Sequence, residues 1–136
     1  MQPNVKYKMI DEQECIFDVV RKKYVVLTKE EWVRQQLIHY LINKKNIPVS
    51  LLSVEKQILV GGRKRRYDLV VYKNDIPWMI VECKEETETL HDAVLQQVLS
   101  YTSVMKVKFV CLSNGKQVFC YDIQNSSWFE GFPDYV

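Results

Sequence analysis

At 136 residues, with 47% hydrophobic and 26% charged residues and a formal net charge of +2, the chain has the composition of a single globular domain that can bury a core unaided. These values exclude a disordered or fibrous chain, and no apolar run reaches membrane-spanning length. The small net charge names no partner, but it is unevenly spread: Arg63, Lys64, Arg65 and Arg66 stand together just before Asp68.

No linker or repeat divides the chain, so residues 1–136 read as one domain. Residues 1–14 are a polar arm without the apolar core of a secretory signal, and residues 123–136 are an aromatic tail. Two β-prone runs in 16–27 flank a basic triplet, as an edge hairpin or an extended lead-in would. A helix is expected from Thr28. Thr28 and Glu31 have the spacing of a capping box, and Val33, Leu37, Tyr40 and Leu41 make an apolar stripe that Asn46 and Pro48 end.

Three strands follow. "SLLSVEKQILV" runs to Gly61-Gly62, "RYDLVVY" to Asn74-Asp75, and "PWMIVECK" completes the set. The turn signals predict consecutive antiparallel hairpins. A second helix is expected over 89–105, with Leu90, Val94, Val98, Tyr101 and Met105 on one stripe. "VKFVCL" and "QVFCYDI" then form a hairpin around Asn114-Gly115. Cys15, Cys83, Cys111 and Cys120 form no CxxC pair and mostly sit in apolar runs. They read as free buried thiols of a cytoplasmic protein, and neither as a disulfide framework nor as a zinc site.

The charged residues inside the strands carry the chemistry. If the turn is 74–76, pairing sets Asp68 opposite Glu82, whereas a register one residue different breaks that pairing. Alternation puts Ile80, Glu82 and Lys84 on one face with Met79, Val81 and Cys83 on the other. Like charges directly opposite one another destabilise a sheet, and burial raises the cost. A divalent cation offsets it: Mg²⁺ takes carboxylate oxygens, a backbone carbonyl and waters, with Lys84 beside the ion to orient water or meet charge on a phosphate. The alternative is a rim ion pair, Glu82 with Lys84 or Asp68 with Arg66.

The order helix, three antiparallel strands, helix, two strands, with the acids on the second and third strands, resembles the PD-(D/E)XK nuclease superfamily. "RKKYVVLTKEEWVRQ", "RYDLVVY", "IVECK", "QVLSY" and "CLSNGK" further resemble the N-terminal nuclease domain of type I restriction enzyme R (motor) subunits and its stand-alone relatives, over roughly residues 20–122. The resemblance implies an α/β, restriction-endonuclease-like core with a mixed sheet flanked by helices, and Mg²⁺-dependent (or Mn²⁺-dependent) hydrolysis of DNA phosphodiesters. Asp68, Glu82 and the Cys83 carbonyl would bind metal and Lys84 would be catalytic. Glu31 matches the acid of the first helix, and Gln97 and Tyr101 match a Gln-x-x-x-Tyr element. Tyr67 stands where the named pattern has Pro.

Other residues have two readings. Glu31 serves a capping box or the site. Gln97 and Tyr101 share a helical face that points inward, where a Gln must find partners. Arg63, Lys64, Arg65 and Arg66 are a solvated hairpin tip or a phosphate grip, to which Lys22 and Lys23 could add. His39 and His91 read as surface or structural residues. Besides DNA, the expected partners are motor or specificity subunits supplied in trans and, as an open option, a second copy of the chain. No membrane is expected. The rival functions are a catalytically latent binding module on the same fold, or an oligomerisation domain resting on the aromatic tail.

Overall fold

A computed structural model of the chain describes residues 5–60, 62–101 and 106–135, with backbone only at 58, 60 and 101. The chain starts with a three-stranded antiparallel sheet of β1 (Tyr7–Ile10), β2 (Gln13–Asp18) and β3 (Lys23–Val26). The expected polar arm is therefore largely a hairpin: Tyr7 pairs with Ile16 and Ile10 with Gln13. Its turn is formed by Asp11 and Glu12, both at positive φ.

Helix α1 (Lys29–Asn43) begins where Thr28 Oγ1 accepts the Glu31 N–H at 3.0 Å. The reciprocal half of the capping box is absent, because the Thr28 N–H donates instead to the Val26 carbonyl. After a 3₁₀ turn at Val49–Leu51, β4 (Leu52–Val60), β5 (Arg63–Lys73) and β6 (Ile76–Cys83) form antiparallel hairpins. The β5–β6 turn places Asn74 and Asp75 at φ 53° and 62°, a left-handed pair that Asn and Asp tolerate. Helix α2 (Asp92–Tyr101) crosses over to β7 (Phe109–Ser113), which runs parallel to β6. Strands β8 (Val118–Asp122) and β9 (Ser127–Glu130) complete a six-stranded mixed sheet of order β4-β5-β6-β7-β8-β9.

A helix packs on each face of this sheet. Val33, Leu37, Ile38 and Leu41 of α1 pack with Leu69, Val71, Met79 and Val81 on one side. Leu90 and Val98 pack with Val70, Ile80, Val110 and Leu112 on the other. This two-sided burial explains why the sequence of β6 is apolar on both faces. The tail is also part of the core: Phe132 is buried, and Tyr135 packs edge-on to Trp78 and donates to the Tyr72 carbonyl.

The reading of all four cysteines as free thiols holds only for Cys15 and Cys83. Cys111 and Cys120 are direct partners across β7 and β8 and form a disulfide. Cross-strand register makes them adjacent, a relation that sequence spacing does not display.

Candidate active site at the β5–β6 hairpin

The β5–β6 register pairs Leu69 with Val81 and Val70 with Ile80, so its next step outward sets Asp68 across from Glu82. The Cys83 N–H donates to Asp68 Oδ2 at 2.7 Å, clamping that carboxylate over the end of β6. The Asp68 and Glu82 side chains are within hydrogen-bonding reach of one another. Burial, the Asp68 charge and that shared hydrogen bond push the Glu82 carboxyl up to about 9, against a small opposing pull from Lys84. Lys84 follows directly on β6, its backbone N–H bonded to the Ser113 carbonyl at 2.8 Å. Its charge acts on both Glu82 and Glu30.

The strand bends at this point. Pairing of β4 with β5 passes from Val54–Leu69 to Lys56–Tyr67, and Glu55, opposite Asp68, lies at φ 54°. Tyr67 packs on the α2 side and Leu69 on the α1 side, so the usual alternation breaks at Asp68. A non-glycine residue in the left-handed region costs about 1–3 kcal/mol, and such positions gather at functional sites. The Glu55 carboxylate offsets the cost with bonds to Arg21 at 2.9 Å and Arg66 at 3.0 Å.

Beside the hairpin lies a second group of charges that sequence reading overlooked. Glu31 accepts from Arg34 at 2.9 and 3.0 Å, from Arg21 at 2.8 Å and from Gln35 at 3.1 Å. Burial alone would raise the Glu31 carboxyl, but the bonds from Arg34, Arg21 and Gln35 outweigh it and hold it low. Arg21 also binds the fully buried Asp18, tying the small sheet to the site. Arg34 reaches 3.7 Å from Asp68 Oδ1. The Glu31–Arg34 spacing of three residues was a readable helical pair. The links from Arg21 to Glu55 and Arg34 to Asp68 were not, since each spans 34 residues.

The remaining expected residues lie as follows. Arg63, Lys64, Arg65 and Arg66 are exposed on the outer half of β5. Gln97 is exposed on α2 rather than turned inward, so the argument from a buried amide lapses. The stripe that does turn inward is Leu90 and Val98, with Val94, Leu95 and Leu99 half-buried against the same cluster. Tyr101 ends α2, and its side chain and Met105 lie outside the described residues. His39 is half-buried, with Nε2 unpartnered. A cavity of about 570 Å³ between α1 and the turns at Gly115 and Gly131 contains none of these carboxylates.

As a metal cradle the donor set is small. Among the described residues, no three His, Cys, Asp or Glu side chains converge. Two carboxylates, the Cys83 carbonyl and waters are what remain. That suits Mg²⁺, which commonly keeps several waters and one or two protein carboxylates, and a divalent charge would offset the burial and the Asp68 repulsion that push the Glu82 carboxyl upward.

A family model described as type I restriction enzyme R protein N terminus matches residues 29–134. Among solved structures, a fragment described as an HsdR subunit of a type I restriction enzyme from Vibrio vulnificus YJ016 shares the fold at a TM-score of 0.59, with 21% identity over 79% of this chain. The match covers 24% of that structure's length, so the chain spans about a quarter of it. A comparison with curated protein sequences finds no match.

Proposed function

Because the chain belongs to the type I restriction enzyme R-protein N-terminal family, we propose that it is a Mg²⁺-dependent (or Mn²⁺-dependent) nuclease domain of PD-(D/E)XK type that hydrolyses DNA phosphodiester bonds. The observation that carries this reading is the meeting of the Asp68 and Glu82 carboxyls at one end of the β5–β6 hairpin, with Lys84 next along the chain. The two carboxylates and the Cys83 carbonyl would hold the metal. A bound divalent ion supplies Lewis acidity at a phosphoryl oxygen. Lys84 donates N–H bonds to the attacking water or to the charge developing on the phosphate. Asp68 is kept in place by the Cys83 N–H and by Arg34. Glu31, saturated by Arg21, Arg34 and Gln35, acts by holding Arg34 and not as a ligand. Gln97, on the solvent side of α2, is available to a phosphate. Motor and specificity subunits of a restriction system would be its protein partners.

The competing reading, a latent binding module, is favoured by one contact: Arg34 already neutralises part of the Asp68 charge without metal. Supercoiled plasmid with Mg²⁺ or Mn²⁺ separates the two. Nicking by wild type and not by Lys84→Ala supports the nuclease. Identical behaviour of the two proteins, with DNA still bound, supports the module.

A further inference from the structure

Strand β5 pairs with β6 only from Leu69 onward, whereas its pairing with β4 continues to Arg63. Beyond Asp68 the two strands leave the six-stranded sheet as a ribbon of five residue pairs, Lys56–Tyr67 to Val60–Arg63. At about 3.4 Å per residue the ribbon extends roughly 17 Å from the site. Arg63, Lys64, Arg65 and Arg66 on one strand and Lys56 and Gln57 on the other are all exposed. No acid occurs between Glu55 and Asp68. Register places Arg63 and Arg65 on one face and Lys64 on the other, beside Arg66, which is paired with Glu55 at 3.0 Å, so each side of the ribbon carries cations.

We infer that this ribbon seats in the major groove of double-stranded DNA and carries the duplex to the β5–β6 carboxylates. The inference rests on the nucleic-acid reading of the site and narrows it to duplex. Strands about 4.8 Å apart, with side chains on both faces, fit a major groove about 12 Å wide and not a minor groove about 6 Å wide. Cations on both faces then meet the phosphates of both groove walls. Binding of single strands relies on aromatic platforms for the bases, and the exposed side chains of the ribbon include none, since Tyr67 at its root is buried. The deep, narrow major groove of RNA duplex excludes such an element.

The test is fluorescence anisotropy in EDTA with a short DNA duplex, its unpaired strand and an RNA duplex of the same sequence. The DNA duplex should bind at least about tenfold more tightly than either competitor. Arg63→Ser combined with Lys64→Ser should reduce duplex affinity about tenfold and lower the salt slope by about 2, one increment per lost phosphate contact. An unchanged circular dichroism melt would show that the variant folds. Wild-type duplex affinity in the double variant overturns the inference. So does equal binding of single strand or RNA duplex, or no duplex binding at all. Because no divalent ion is present, cleavage does not enter: ribbon-dependent duplex binding with no nicking in Mg²⁺ retains this inference and removes the nuclease reading.

Discussion

Glu31 and Glu82 belong to neighbouring charge groups with opposite environments. Around Glu31, three acids (Asp18, Glu31 and Glu55) meet three cations (Arg21, Arg34 and Arg66), each acid held by at least one guanidinium. That group is closed: its charges balance and the Glu31 carboxylate is saturated. Around Glu82, the Asp68 charge acts on both Glu30 and Glu82, with Lys84 as the nearby ammonium and Arg34 at the edge. Here burial, followed by the Asp68 charge, pushes both Glu30 and Glu82 upward. A closed group supports structure, while an open one has room for an added cation. Under the proposed function, the difference separates a positioning carboxylate on α1 from a carboxylate on β6 that would serve as a ligand.

The comparison can be broken by substitution. The largest effect is expected from Lys84→Ala, which should lower Mg²⁺-dependent plasmid nicking by about 10²–10⁴-fold while leaving the thermal melt in place. A fully active variant would remove Lys84 from the chemistry. Next, Arg34→Met should destabilise the fold by about 3–5 kcal/mol in urea denaturation, because it strands buried Glu31 without its bidentate partner. A change below about 1 kcal/mol would show that the closed group is only surface charge.

The open group has a pH signature. Glu82 holds its proton in the folded state up to about 9, whereas the unfolded carboxyl releases it near its ordinary value. Between those limits the native state binds more protons, so metal-free stability should fall as pH rises, with a slope approaching about 1.4 kcal/mol per pH unit. Glu82→Gln should flatten that slope; a slope unchanged in Glu82→Gln would place the titration elsewhere. Smallest of all, Gln97→Ala on the exposed face of α2 should shift stability by no more than about 0.5 kcal/mol.

What could be read in the sequence was what local rules dictate. Asn74-Asp75 marked the turn, but the turn is these two residues and not the expected 74–76. Pairing of Lys73 with Ile76 by itself would set Asp68 opposite Val81, and an irregularity between Val71 and Tyr72 shifts the register so that Asp68 meets Glu82. Thr28 marked the start of α1 in the same way. Features that depend on distant segments were hidden. Arg21 looked like one member of a basic triplet, because its partners come from other elements. Residues 7–14 looked like a polar arm for a local reason: every residue of β1 is exposed, so no core-facing alternation marks the hairpin. Gln97 was misplaced because a one-turn spacing to Tyr101 does not say which face turns inward. The buried stripe is set by Leu90 and Val98, one position round.

The bond from the Lys84 N–H to the Ser113 carbonyl also bears on the order in which the molecule assembles. Asp68 and Glu82 meet through a local turn, but Lys84 is held by a strand reached only after the whole α2 crossover. Parallel pairing of this kind closes a long loop before any contact rewards it, and so forms late. During folding the acid pair should therefore come together before the lysine joins it, leaving the site incomplete until β7 docks. Pulse-labelled hydrogen exchange would test this. The Lys84 amide should become protected together with β7, after the amides of the β5–β6 hairpin; simultaneous protection would rule the sequence of events out.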